Sequence, residues 1–355
     1  MLSLQKVANT TVEGKHGEKN WGIGVTPVLV SRPSPPHREP ISAEYKNVDQ
    51  HKHPWDHSCT RLIYLLLLAS MSWKEENRHR RILRNAHAGG YGVIAVIAYN
   101  LEQILGYIRA AETARSPLII QFFPWAVKAT DGLIVRTAAD AVSRATVPIS
   151  IHLDHAQSED IIKQAADMPF DSIMVDMSHH EKEVNLRKTR ELVRYCNERQ
   201  KVTEAEPGRI EGGEDGVMDT AGLEACMTTA EEVDEFIDTG VDVLAPAIGN
   251  VHGEYGPRGP QLDFERFEKI RSQVNGRVCL AIHGTNGFPP ELIQRCVAAG
   301  VAKINVNRLV LDDYYDHLRD NVGKIPHTQL IEEGIQKVAD LTAKWMEICG
   351  SAGKA

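Results

Sequence analysis

From residue 71 onward, short apolar runs alternate with longer stretches in which apolar residues recur every three or four positions. The runs are bounded by turn residues, which is typical of parallel strands that are covered on both faces. The intervening stretches have the period of amphipathic helices. Eight runs are predicted to be strands: Gly92–Asn100, Leu118–Phe122, Ile149–His155, Asp171–Ser178, Lys201–Pro207, Val243–Asn250, Val278–Gly284 and Ala302–Asn307.

Helix boundary signals lie between the predicted strands. Ser158 is predicted to cap the helix after the third strand, and Thr229-Ala-Glu-Glu232 is a capping box for the helix after the fifth. Pro289-Pro290 indicates the start of a helix after the seventh. Eight strand–helix repeats over about 260 residues predict a (β/α)8 barrel, the TIM-barrel class of α/β fold, spanning residues 71–355. No glycine-rich dinucleotide or phosphate-loop motif follows the first strand, which argues against a doubly wound sheet.

Residues 1–70 lack this periodicity. They contain a proline-rich stretch at 32–40 and histidines at positions 37, 51, 53 and 57. The histidines are compatible with a metal-binding tail, but the composition favours a disordered extension, or a mistaken gene model in which Met71 is the natural start. The apolar stretch Leu62–Ser70 is too short to span a bilayer and too far from Met1 to be a secretory signal.

Charge and cysteine content narrow the function classes. The net charge of −8 is spread along the chain, and the longest basic block is the short Arg78–Arg81 stretch, so neither nucleic-acid nor membrane binding is predicted. The six cysteines form no CxxC pair, and several lie within apolar runs. This favours reduced, buried thiols in a cytoplasmic protein. The expected partner is a small-molecule substrate.

Polar residues at the strand ends carry the candidate chemistry, because the active groups of such a barrel gather at the carboxyl ends of its strands. His155, His252 and His283 end three different strands, and three imidazoles with an open fourth position suit a catalytic Zn²⁺. Asp154 precedes His155, so in an extended strand its side chain would point to the other face or to the rim and would not be a second ligand of the same ion. It is interpreted as a general acid/base, with a role in orienting a histidine as the alternative. The other polar strand ends are Asn100, Asp176, Ser178, His179, Glu204, Glu206, Asn250 and Asn305.

Ordered motifs at these residues carry a family resemblance. Over about residues 75–320 the chain resembles the class II (zinc-dependent) fructose-bisphosphate and tagatose-bisphosphate aldolases, whose fold is the same barrel. The motifs are Ile-His-Leu-Asp-His-Ala156, Ile-Met-Val-Asp-Met-Ser-His179, Glu-Ala-Glu-Pro-Gly208 with Gly-Gly-Glu-Asp-Gly216, Ala-Ile-Gly-Asn-Val-His-Gly253, Ile-His-Gly-Thr-Asn-Gly287 and Lys-Ile-Asn-Val306.

The resemblance implies a metal site and a proton-transfer pair. His155, His252 and His283 would bind Zn²⁺, and Glu206 would be an alternate ligand. Asp154 would be the acid/base at the cleaved bond. Glu214 would take part in proton transfer to the enolate. These roles are catalytic or metal-binding, and no lysine Schiff base is required.

The resemblance also implies a substrate and its contacts. Asn305 would contact the ketose, and backbone at Gly253 and Gly284 would hold a phosphate, beside a monovalent cation (Na⁺ or K⁺). The implied reaction is cleavage of fructose 1,6-bisphosphate to glycerone phosphate and glyceraldehyde 3-phosphate in glycolysis, by a homodimer or larger oligomer. Lys303 would be the nucleophile of a lysine-dependent aldolase, but that interpretation leaves three histidines unexplained.

The departures from the family pattern fall in the substrate half of the site. Asn286 stands in place of a Ser, and Asn307-Arg308 in place of an Asp/Ala-Thr pair. The aromatic-rich Phe122-Phe123-Pro124-Trp125 stands where a Ser is usual. Asn100, Asn286, Asn307 and Arg308 are expected to contact the substrate, and Arg308 could grip a phosphate or carboxylate through two hydrogen bonds. Two alternatives therefore remain: an aldolase for another ketose or keto-acid, and a catalytically silent barrel that binds a metabolite.

Overall fold

Eight parallel strands close into a barrel in chain order, with the last strand hydrogen-bonded to the first. The computed structural model describes residues 73–213 and 226–355, so the predicted extension at 1–70, Met71 and Glu214 lie outside the described residues. Every predicted run contains a strand, and the predicted (β/α)8 barrel is confirmed. The strands are β1 (Val93–Ile97), β2 (Leu118–Phe122), β3 (Ile149–Ala156), β4 (Ser172–Val175), β5 (Val202–Ala205), β6 (Val243–Leu244), β7 (Cys279–Ile282) and β8 (Val301–Val306).

Helices cover the outside of the barrel, and the predicted starts of three of them are confirmed. The Ser158 side chain caps one helix, Thr229 and Glu232 form the predicted capping box of another, and Pro289 is the N-cap of a third. Within residues 73–213 and 226–355, no helix has the length and apolar character needed to cross a membrane. The helices are α1 (Arg78–Gly89), α2 (Leu101–Ala114), α3 (Pro124–Ala129), α4 (Leu133–Ser143), α5 (Glu159–Ala166), α6 (Lys182–Glu198), α7 (Ala230–Ile237), α8 (Phe264–Val274), α9 (Pro290–Ala298), α10 (Arg308–Asn321) and α11 (His327–Ile348).

Helix α1 closes the end of the barrel at which the strands begin. Just before this helix, Asn77 Nδ2 donates to the backbone carbonyl of Asp171 (2.9 Å), directly before β4. Lys74 Nζ lies 3.0 Å from the carboxylate of Asp242, directly before β6. Leu83 of α1 is fully buried in an apolar cluster with residues of β1, β2, β6, β7 and β8. The end at which the strands finish is therefore the one left for a functional site.

Two histidine rings stack inside the barrel. His79 Nδ1 of α1 lies 3.0 Å from Ser150 Oγ, and His152 Nδ1 of β3 lies 3.0 Å from Ser172 Oγ. Their ring centroids are 5.2 Å apart. Burial, together with the charge of Lys303, lowers the pKa of His79 to about 3. The His79 ring is therefore neutral at physiological pH.

The neutral state of His79 makes the fold sensitive to acid. An unperturbed histidine titrates near pH 6.5, so the unfolded chain takes up this proton at a higher pH than the folded chain does. The depressed pKa contributes stability above about pH 6.5, and this stability is lost as the pH falls towards 3. His79→Gln should make the free energy of unfolding fall less steeply between about pH 6 and pH 4, by about 1.4 kcal/mol per pH unit.

Urea unfolding at a series of pH values measures this effect. His87→Gln is the matched control, because His87 is an exposed histidine on the same helix. Equal pH slopes in the wild type and the His79→Gln variant would contradict the assignment of that proton to His79.

Candidate active site

A cavity of about 330 Å³ opens at the carboxyl ends of the strands. Most of the predicted site residues line it, although they come from separate strands and loops. Gln121, Glu254 and Tyr315 also line it and were missed by the sequence analysis. The predicted residues on the cavity wall are Asp154, His155, His252, Gly253, Gly284, Asn286, Asn305, Asn307 and Arg308.

The three predicted histidine ligands form a compact group. One nitrogen from each of His155, His252 and His283 lies within 4.8 Å of the others. His155 Nε2 and His283 Nδ1 are 3.0 Å apart, and the His252 ring packs edge-on against His155 with centroids 4.7 Å apart. His252 Nε2 is buried and has no hydrogen-bond partner among the described residues. A buried polar nitrogen is costly unless something satisfies it, so the group fits a metal ion.

Carboxylates behind two of the rings fix which nitrogen faces the centre of the group. His155 Nδ1 lies 2.9 Å from Asp176 Oδ2, and His283 Nε2 lies 2.7 Å from Glu204 Oε1. When each of these nitrogens carries the ring proton and donates a hydrogen bond to the carboxylate, the other nitrogen of each ring keeps a lone pair. These nitrogens are His155 Nε2 and His283 Nδ1, which face each other. Two lone pairs 3.0 Å apart repel unless a cation or a proton lies between them. The donor set therefore matches a metal that accepts imidazole nitrogen.

The pKa values of the histidines agree with this arrangement. Burial alone would lower the pKa of His155, but the carboxylates of Asp154 and Asp176 raise it to about 10. Burial, together with the neighbouring imidazoles, holds the pKa of His252 well below its usual value. Burial also lowers the pKa of His283. Without a metal, His155 is therefore in its protonated, positively charged form at neutral pH. Metal binding would displace the additional proton.

The backbone at His155 turns two consecutive side chains into the same cavity. His155 has a φ of 45°, in the left-handed region that residues other than glycine seldom occupy. The register between β3 and β4 shifts between Leu153 and Ala156. Both Asp154 and His155 line the cavity as a result. Asp154 was predicted to point to the other face of the strand or to the rim, and it lines the same cavity as His155 because β3 is not regular at this point.

Two side-chain amides hold the carboxylate of Asp154. Asp154 is almost fully buried, and it accepts hydrogen bonds from Gln121 Nε2 (2.9 Å) and Asn305 Nδ2 (3.0 Å). Both amides lie on the cavity wall. Gln121 could have been found from the sequence, because it is the only polar residue in the apolar run of β2.

Lys303 is a structural link between the metal group and the acid/base candidate. Its side chain is fully buried and is absent from the cavity wall. Lys303 Nζ lies 2.9 Å from Glu204 Oε2 and donates to Asn305 Oδ1 (2.7 Å). The amine is held by two acceptors behind the wall, so this geometry does not support a Schiff-base role.

Glycines allow the backbones of three loops to meet at the cavity. A Cβ on Gly284 would lie 2.1 Å from the carbonyl oxygen of Val251, and a Cβ on Gly212 would lie 2.2 Å from that of His252. Both glycines have positive φ, so a side chain would also be strained. The Tyr255 hydroxyl accepts from the Val251 N–H (3.0 Å) and donates to the Gly284 carbonyl (2.7 Å). This hydroxyl fixes the spacing of two loops of the wall.

Three predicted residues that the structure describes, Asn100, Glu206 and His283, are absent from the cavity wall. The Asn100 side chain caps helix α2 and donates to the Tyr314 hydroxyl (2.9 Å), so its amide is used within the fold. Glu206 lies in a second buried group with His155 and Asp176. Burial and the charge of Asp176 raise the pKa of Glu206 to about 8. The remaining prediction, Glu214, is outside the described residues.

Aromatic side chains form one side of the cavity. Tyr99 and Phe123 both line it, with ring centroids 6.4 Å apart, and Trp125 lies 6.2 Å from Tyr99. Phe122 instead packs against Phe170 in the core. The predicted aromatic cluster therefore reaches the cavity through Phe123.

Charged side chains form another part of the rim. Arg308 Nη1 donates to Glu254 Oε1 (3.1 Å), and Arg308 Nε donates to Asp312 Oδ1 (3.0 Å). Asn286 Nδ2 donates to the same Glu254 oxygen at 3.3 Å. The predicted grip of Arg308 on a substrate anion thus faces competition from protein carboxylates.

Comparisons with known proteins agree with the site. Residues 77–354 match the family model described as fructose-bisphosphate aldolase class-II. A Coccidioides immitis (strain RS) protein, provisionally named a fructose-bisphosphate aldolase, is 52% identical over 289 residues, which cover 79% of this chain and 96% of that protein. The fructose-bisphosphate aldolase of Geobacillus stearothermophilus is 35% identical over 287 residues, 78% of this chain and 97% of the relative.

A solved structure supports the same relationship. The crystal structure of a provisionally named fructose-1,6-bisphosphate aldolase from Coccidioides immitis has a TM-score of 0.77 and 53% identity, and it covers 79% of this chain and 98% of that one. The family is generally metal-dependent, in keeping with the histidine group. The chain therefore belongs to the class II fructose-bisphosphate aldolases, a family of lyases that cleave carbon–carbon bonds.

Proposed function

We propose that the protein is a zinc-dependent aldolase that reversibly cleaves fructose 1,6-bisphosphate to glycerone phosphate and glyceraldehyde 3-phosphate. The observation that carries the proposal is a compact group of three histidines, two of them oriented by carboxylates, beside a buried aspartate at one cavity. A glycine-rich wall beside them offers backbone donors for a phosphate.

His155, His252 and His283 would hold the zinc ion. When bound, zinc supplies a Lewis acid that withdraws electron density from the substrate carbonyl. Asp176 and Glu204 keep two of the rings in the tautomers that present lone pairs to it.

Asp154 would move the proton at the cleaved bond. During cleavage its carboxylate accepts the proton of the hydroxyl beside the scissile carbon–carbon bond, and the bond electrons pass to the carbon next to the carbonyl. In the condensation direction Asp154 returns the proton. Gln121 and Asn305 hold this carboxylate in place. Glu214 is proposed for proton transfer to the enolate carbon, and its neighbour Gly213 lines the cavity.

The phosphate would lie against backbone at Gly253 and Gly284. The pairing of these turns through Tyr255 supports a fixed cradle. Asn305 and Asn307 are proposed ketose contacts, because both lie on the cavity wall. The monovalent cation, the homodimer and the cytoplasmic location remain predictions.

A second candidate is an aldolase of the same mechanism for another ketose or a keto-acid. It is favoured by the Glu254 carboxylate, which faces the cation predicted to bind phosphate. Coupled assays with fructose 1,6-bisphosphate and tagatose 1,6-bisphosphate separate the two candidates. Rates with both sugars equal to those of a chelator-treated control would rule out the first candidate.

His252→Ala should lose both bound zinc and aldol cleavage, because it removes one of three metal donors. Metal content by mass spectrometry and the coupled assay measure the two losses. His180→Ala is the control, since His180 lies outside the metal group. Full activity of either variant after metal removal would contradict zinc dependence.

Asp154→Ala should retain zinc and lose cleavage by about 10²–10⁴-fold, the usual contribution of a general acid/base. The same metal and rate measurements apply, with the exposed Asp167→Ala as control. Loss of zinc in the Asp154→Ala variant would assign Asp154 to orienting the metal group instead.

Tyr255→Phe should raise KM for the bisphosphate by about two- to tenfold with little change in kcat. It removes two hydrogen bonds, each worth about 0.5–1.5 kcal/mol, and it keeps the ring packing against Phe288. Steady-state kinetics measure KM and kcat separately, with Tyr195→Phe as control. A lower kcat at unchanged KM would place the effect on the chemical step instead of the cradle.

A further inference from the structure

One carboxylate oxygen at the rim of the cavity accepts hydrogen bonds from two side chains that are predicted to contact the substrate. Glu254 Oε1 accepts from Asn286 Nδ2 at 3.3 Å and from Arg308 Nη1 at 3.1 Å. All three residues line the cavity. Asn286 and Arg308 are also two of the positions at which the sequence departs from the pattern of the family that it resembles. The chain has therefore placed its own anion against these donors.

We propose that Glu254 is a specificity-determining residue, an internal anion that competes with the terminal phosphate of the substrate for Asn286 and Arg308. The inference rests on the proposed function, because it concerns the phosphate end of that site. A substrate whose terminal group is a phosphate monoester must displace Glu254. A substrate that is uncharged at this end leaves the Glu254 contacts in place.

Electrostatic repulsion disfavours a state in which Glu254 and a substrate phosphate contact the same donors at once. Arg308 is paired with Asp312 at 3.0 Å as well as with Glu254, so the three side chains already carry one positive and two negative charges. A phosphate monoester adds about 1.5 to 2 negative charges at neutral pH. Placed against the same donors, it would be repelled by the Glu254 carboxylate.

Exposure makes the displacement feasible. The Glu254 side chain is 78% exposed, so it can turn into water when a ligand arrives. Ion pairs between exposed side chains contribute little to stability. Arg308 keeps its contact with Asp312, which lies one turn further along helix α10 and is not on the cavity wall. The guanidinium therefore stays anchored while the rim opens.

Glu254→Gln tests the proposal, with inorganic phosphate as the probe. The dissociation constant of phosphate, measured by titration calorimetry on the metal-loaded protein at low ionic strength, should fall by about two- to fivefold. The KM for fructose 1,6-bisphosphate should fall by a similar factor. Unchanged or weaker phosphate binding would overturn the proposal.

Two further variants locate the effect. Asp312→Asn removes a charge from the same arginine but leaves Glu254 in place, so an equal gain there would show a general charge effect and overturn the proposal. In the double variant Glu254→Gln/Arg308→Gln the gain should disappear, and its persistence would also overturn the proposal. Phosphate binding needs no turnover, so this result stands apart from the cleavage assay that decides the proposed function.

Discussion

The left-handed backbone at His155 is the constraint on which the site depends. A strand alternates its side chains, and a regular β3 would place Asp154 and His155 on opposite faces. The positive φ of His155 and the shift of register bring both into one cavity. A residue other than glycine in this conformation costs about 1–3 kcal/mol, and the hydrogen bond from His155 to Asp176 helps to hold it. One backbone irregularity thus places both the acid/base candidate and a candidate metal ligand.

Behind the cavity, a chain of buried contacts joins the two halves of the chemistry. Asp154 is bonded to Asn305, Asn305 to Lys303, Lys303 to Glu204, and Glu204 to His283. In a low-dielectric interior, removing one member leaves its neighbour without a partner, at a cost larger than the net value of the contact. The metal group and the proton-transfer group therefore share one support.

The fold and the group of three histidines could be predicted because both leave a pattern in the sequence. A polar residue after an apolar run marks a strand end, which located His155, His252 and His283. The same rule failed at Asn100, because an asparagine after a strand can equally cap the next helix. Glu254 could not be predicted, since an exposed charge in a loop has no periodicity and its partners are distant in sequence. Strand β6 was predicted too long, because the residues after Leu244 are apolar and buried, but at Ala247 the backbone bonds to the loop residue Thr228 instead of a neighbouring strand.

The contacts of Gly212 and Gly284 also show which positions of the cavity wall should be kept constant in protein engineering. Backbone meets backbone at these two positions, so a library that varied them would consist mostly of proteins with a damaged wall. At the rim, the side chains of Asn286 and Arg308 both contact that of Glu254, so these three positions are linked through side chains and not through backbone. Directed evolution towards a different sugar should therefore keep the glycines constant and vary these three positions together, because changing one alone leaves its partners with unmatched charge or hydrogen bonds.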